Sequence, residues 1–117
     1  MRILVCGSRD FEDFLKLANV LDDYLDQNPI IISGAADGAD SLARDYARMN
    51  YLRYLEFPAN WPKYKKSAGP IRNQQMIDEG KPHLVIAFPL DGSIGTWDMV
   101  RRAEKHNIKT IVVKENG

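Results

Sequence analysis

Five short strand-like runs recur along the chain, each separated from the next by a helical pattern. This alternation narrows the fold more than any other feature. Strands joined through helices must run parallel, and a parallel sheet needs helices on both faces. The runs are residues 2–6 (RILVC), 29–33 (PIIIS), 53–57 (RYLEF), 83–88 (HLVIAF) and 109–113 (KTIVV). The third is the least apolar, which suits a sheet edge. Residues 12–27 place Phe14, Leu17, Ala18, Leu21, Tyr24 and Leu25 on one helical face, and Asn28-Pro29 ends the pattern. Residues 39–50 do the same with Ala39, Leu42, Ala43, Tyr46 and Ala47. A shorter helix is predicted over 70–79, with Pro70 near its first turn, and a last one over 95–107. Residues 58–69 break the rhythm. They hold Trp61, Pro62, Tyr64, Lys63, Lys65 and Lys66 and read as a long loop, a kind usually functional or mobile. Residues 115–117 read as a short tail.

The fold class expected is α/β: one three-layer domain over residues 1–117, with a five-stranded parallel sheet and helices on both faces. Right-handed crossovers leave few other topologies. With 44% hydrophobic and 27% charged residues, the chain has material for a core without disulfides. Equal numbers of basic and acidic side chains, 16 of each, give no net charge, which argues against a nucleic-acid-coating role. Cys6 is the single cysteine, so no internal disulfide is available and a reducing compartment is expected. No apolar run reaches membrane-span length, and Met1-Arg2 leads straight into a strand pattern rather than a signal peptide. The expected location is cytoplasmic, with no membrane partner.

Three loops rich in small residues leave these runs: Gly7-Ser8-Arg9-Asp10, the segment from Ser33 to Asp40, and Asp91-Gly92-Ser93-Ile94-Gly95-Thr96. Loops of this kind let backbone N–H groups approach a ligand, and the helix start behind each favours an anion. In a doubly wound sheet all three gather at the strands' carboxyl ends, where ligands bind. Gly7, Ser8 and Arg9 suit a phosphate; the plainer alternative is a tight turn with Arg9 in solvent. Gly34, Ala35 and Gly38 permit close approach. Asp37 and Asp40 repel anions, so helix capping, ribose contacts or a divalent cation are their alternatives, with capping ahead for Asp40. Arg72 and Asn73 begin a helix, where an arginine fork suits phosphate or pairs internally with Asp37 or Asp40. Gly92, Ser93, Gly95 and Thr96 offer donors at the last helix start, or an N-cap at Ser93 or Thr96. Trp61 and Tyr64 are placed to stack on a base, or to pin their loop to the domain. Cys6 reads as a buried core thiol rather than a nucleophile. His83 and His106 show no metal spacing, and no metal site is expected.

Taken together, the strings ILVCGSRDF (3–11), SGAADGADSLA (33–43), FPANW (57–61) with its lysines, AGPIRNQQM (68–76), VIAFP (85–89) and GTWDMVRRA (95–103) resemble the SLOG superfamily of Rossmann-like proteins, in its YspA-like branch. The resemblance spans nearly the whole chain. It implies the strand order 3-2-1-4-5 and a nucleotide or nucleotide-derived ligand. Relatives include DprA and the cytokinin-activating phosphoribohydrolases. Those hydrolases carry PGGxGTxxE with a catalytic glutamate, and here Met99 stands in its place with Asp98 one residue off. The resemblance therefore implies a binding protein rather than an enzyme. The expected partner is a small nucleotide-derived molecule, such as an NAD- or ADP-ribose-related signal, which is sensed or sequestered. One alternative is an N-glycosidic hydrolase of nucleoside monophosphates using Asp98 or Asp37. Another is single-strand nucleic-acid binding as in DprA. The apolar last helix and Trp97 are compatible with a homodimer or higher homo-oligomer.

Overall fold

The computed structural model of the chain describes residues 1–114, so the tail expected at 115–117 lies outside the described residues. Five strands, β1 (Arg2–Gly7), β2 (Ile30–Ser33), β3 (Tyr54–Glu56), β4 (Leu84–Phe88) and β5 (Lys109–Val112), form one sheet in the order β3-β2-β1-β4-β5. Every neighbouring pair is parallel. The α-helices among the described residues are α1 (Phe14–Asp22), α2 (Ala39–Met49), α3 (Trp61–Tyr64), α4 (Ala68–Gly80) and α5 (Ile94–Lys105).

The central strands are apolar on both faces, as sheets covered on both sides require. In β1, Ile3 and Val5 enter one core with Leu17, Leu21, Ala43 and Tyr46 from α1 and α2. Leu4 and Cys6 point the other way, to Met76 and Ile77 of α4 and Met99, Val100 and Ala103 of α5. The result is the expected three-layer architecture in the expected strand order. It matters for function because the order turns between β1 and β4. At that turn Ser8 ties three segments together: its N–H donates to Phe88 O at 3.1 Å, its O accepts from Ala39 N at 3.2 Å, and its Oγ accepts from Asp10 N at 3.1 Å.

Two expectations change. The helix expected over 12–27 ends at Asp22, and the chain tightens into i→i+3 bonds from Leu25 to Gln27. The loop expected over 58–69 is folded. Asn60 caps α3 by accepting from Lys63 N at 3.2 Å, Lys65–Ser67 form a 3₁₀ turn, and α4 starts at Ala68. The capping asparagine beside Pro62 was a helix signal at this spot.

Candidate functional site: a cleft at the carboxyl edge of the sheet

Two adjoining hollows, each about 500 Å³, open beyond the carboxyl ends of the strands. Both are lined by Arg9, Ala36, Trp61 and Arg72. The first adds Gly34, Ala35, Asp37, Pro58 and Ala59. The second adds Gly7, Ser8, Asn73 and the segment from Asp91 to Thr96, with Cys6 and Asp40 among its further lining. The fold thus brings thirteen of the fifteen expected site residues to one cleft. The other two are Gly38 and Tyr64. Gly38 (φ +73°) lies where a Cβ would fall 2.2 Å from Ser8 O, so it serves the close packing of two loops. Tyr64 lies outside the cleft, with Lys63 Nζ 5.0 Å from its ring centroid. Trp61 is in the cleft, and the Arg9 guanidinium stacks 5.6 Å from its ring centroid.

Asp40 does something other than cap α2. The N-cap of that helix is Gly38, and Asp40 sits one turn position inside it. Its Oδ2 reaches back across the loop to accept from Gly34 N and Ala36 N, both at 3.1 Å. The amides of Gly34 and Ala36 are therefore already occupied. At the start of α5 the reverse holds. Ser93 holds the N-cap position of α5, but its Oγ accepts from Leu90 N at 2.9 Å, closing the preceding turn, and makes no capping hydrogen bond to the helix. No acceptor among the described residues takes the N–H of Gly95 or Thr96. These are orphan donors of a helix's first turn, open to an anion.

Arg72 forms no ion pair with Asp37 or Asp40. Its Nη1 donates to Gly34 O and its Nε to Asn73 Oδ1 at 3.1 Å. A Cβ on Gly34 would stand 2.3 Å from Nη1, so that glycine makes room for the guanidinium. Burial lowers the pKa of Arg72, while Asp40 nearby acts to raise it. Asn73 is buried; its Nδ2 donates to Gly95 O at 3.1 Å and to Asp98 Oδ2 at 3.0 Å. Arg102 Nε donates to the same Oδ2 at 2.8 Å. The cleft is therefore not uniformly positive. Arg9, Lys66, Arg72 and Arg101 face Asp10, Asp40, Asp91 and Asp98. Two of those carboxylates are engaged by the protein itself. Among the described residues no group of three or more His, Cys, Asp or Glu is arranged to hold a metal ion.

Burial pushes the Cys6 thiol well above its ordinary range, and Asp40 adds to that, so the group stays protonated. Burial likewise raises Asp40 to about 6, against the hydrogen bonds from Ala36 and Gly34 and the charge of Arg72. The folded protein thus binds this proton more tightly than the unfolded chain. Its contribution to stability is full below the ordinary value of 3.8 and is lost as pH rises through about 6. Urea unfolding at pH 4 and pH 7 checks this: wild type loses on the order of 2–3 kcal/mol relative to Asp40→Asn across that window. An unchanged difference would mean that Asp40 titrates normally.

The Asp98–Arg102 pair was legible as an i,i+4 spacing. Its link to Asn73, and the Arg9–Trp61 stack, join elements far apart in sequence and left no local signal.

A family model described as the YspA, cpYpsA-related SLOG family matches residues 1–64. The chain is 34% identical over 118 residues to the Gene 61 protein of Mycobacterium phage D29, with 94% of each chain covered. Among solved structures, DNA processing protein A (DprA) from Streptococcus pneumoniae superposes with a TM-score of 0.57 at 19% identity. That match covers 94% of this chain and 58% of DprA, so the chain spans little more than half of that protein and shares its fold. No helix among the described residues is long and apolar enough to cross a membrane.

Proposed function

This chain belongs to the YspA, cpYpsA-related SLOG family, and from that premise we propose that its cleft binds a nucleotide-derived small molecule, as a sensor or a sequestering protein. Membership supports a nucleotide-related or nucleic-acid-binding role. The observation that favours the small molecule is the waist of the cleft. Arg9, Trp61 and Arg72 stand between two hollows that they share, each large enough for one lobe of a ligand. Two guanidiniums at such a waist suit a phosphate or pyrophosphate with a group on either side. Trp61 suits a base. An ADP-ribose- or NAD-type molecule has this layout. The single buried Cys6 is in keeping with a reducing, cytoplasmic setting.

Hydrolysis by Asp98 is disfavoured on the residue's own surroundings. Burial alone would raise its pKa, but hydrogen bonds from Arg102 and Asn73 outweigh that and hold the carboxyl below its usual range. A group with no proton at neutral pH cannot act as a general acid.

Thermal melts with ADP-ribose, NAD and AMP test the proposal, with chromatography of the mixture afterwards. The expected result is a raised melting temperature with the added compound recovered intact. Release of free base would instead favour the hydrolase. No shift with any of the three, together with salt-sensitive binding of single-stranded DNA through Lys63, Lys65 and Lys66, would overturn the small-molecule reading.

A further inference from the structure

Met99 is fully buried in the core between α5 and the sheet. Asp98, one residue earlier, lines the second hollow instead. Its Oδ2 is taken by Asn73 and Arg102, while no hydrogen bond among the described residues reaches its Oδ1. An ionised carboxylate only accepts hydrogen bonds. A carboxylate with a free oxygen on a residue that lines the cleft is suited to a donor from the ligand, and an ionised phosphate supplies none. Sugar hydroxyls do.

The groups that suit phosphate are close by and mechanically tied to Asp98. Asn73 accepts from Arg72 Nε through Oδ1 and donates to Asp98 Oδ2 and Gly95 O through Nδ2. Its amide is therefore fixed with oxygen toward the guanidinium and nitrogen toward the carboxylate. A cation and an anion are held one side-chain amide apart, a separation that a single ribose 5-phosphate unit can span.

We propose, resting on the nucleotide reading above, that Asp98 Oδ1 accepts from the 2′- and 3′-hydroxyls of a ribose whose 5′-phosphate lies on Arg72, with Asn73 as the positioning residue that keeps the two in register. The cleft then selects ribonucleotides with an unsubstituted diol. A 2′-deoxyribose leaves Asp98 one donor, and a 2′,3′-dideoxyribose leaves it none. The phosphate contacts, by contrast, are indifferent to the sugar.

Calorimetric titration with AMP, 2′-deoxy-AMP and 2′,3′-dideoxy-AMP reads this directly. Wild type is expected to bind AMP at least tenfold more tightly than the dideoxy compound, with the monodeoxy compound between them. In Asp98→Ala the affinity for AMP falls to that of dideoxy-AMP, and dideoxy-AMP binding changes less than twofold. That variant is expected to fold, since Arg102 Nη1 keeps Gln74 Oε1 at 2.9 Å and Asn73 keeps Gly95 O. Asn73→Asp sets a carboxylate oxygen against Asp98 and is expected to weaken all three ligands together. Equal binding of the three by wild type overturns the assignment while leaving the nucleotide reading standing, and needs no variant. A preference for AMP that survives in Asp98→Ala overturns it too. Binding by none of the three overturns the assignment; if ADP-ribose and NAD also fail to bind, the nucleotide reading falls with it.

Discussion

Arg72→Ala lowers the affinity for ADP-ribose by roughly 10–100-fold and leaves the unliganded protein folded. The size follows from losing a charge-assisted hydrogen bond, worth about 1.5–3 kcal/mol, at about 1.4 kcal/mol per factor of ten. The survival of the fold follows from what Arg72 touches. Among the described residues its partners are one backbone carbonyl and one side-chain amide, Gly34 O and Asn73 Oδ1, and it makes no ion pair there that truncation would strand. Titration calorimetry and a thermal melt of the unliganded variant separate the two aspects. Gly34→Ala is a second route to the same loss. Its Cβ would meet the guanidinium 2.3 Å from Nη1 and push the fork off its carbonyl while keeping the charge. Collapse of unliganded stability in Arg72→Ala would make Arg72 a structural residue and remove its ligand role.

The second large effect is on stability. Gly38→Ala is expected to cost on the order of 3–5 kcal/mol in urea unfolding. Gly38 combines φ +73° with ψ −125°, a conformation essentially reserved for glycine. Its missing Cβ also leaves space for Ser8 O at 2.2 Å and the Arg9 carbonyl carbon at 2.5 Å, backbone atoms that cannot swing aside. Gly92→Ala is the control. Gly92 has φ +78° but nothing within 4 Å of a built Cβ, so it carries backbone strain without a clash. Its cost is about 1–2 kcal/mol. Equal losses in the two variants would mean that the packing of the first loop on the second contributes nothing to stability.

The fold was legible because its signals are local and redundant. Runs such as ILVC and LVIAF, apolar on both faces, can only be buried strands between helices, and the crossover rules supply much of the rest. The gathering of Gly7, Gly34 and Gly92 to one edge followed from topology alone. What the loops do there was less legible. A glycine-rich segment such as Ser33 to Asp40 looks like a cradle of open amides. Yet Asp40, four to six residues further on, closes it from within by accepting from Gly34 and Ala36. Asp40 in a helix's first turn resembles an ordinary cap, and nothing local says that it reaches backwards. The segment around Trp61 was read as loop because its aromatics and lysines have no helical period. Its short helix rests on the Asn60 cap and on tertiary contacts such as the Arg9 stack. Asn73 is harder still. Its role depends on Arg72, Gly95 and Asp98, and two of those three lie more than twenty residues away in sequence.

Titration of the ¹⁵N-labelled protein with ADP-ribose, followed by amide, indole and guanidinium shifts, tests the central claim most directly. The account predicts saturable shifts at the Gly95 and Thr96 amides, the Arg9 and Arg72 side chains and the Trp61 indole, moving together with one dissociation constant. Shifts confined to the outer faces of α1 and α2, or no saturable shift at any of these groups, would contradict it.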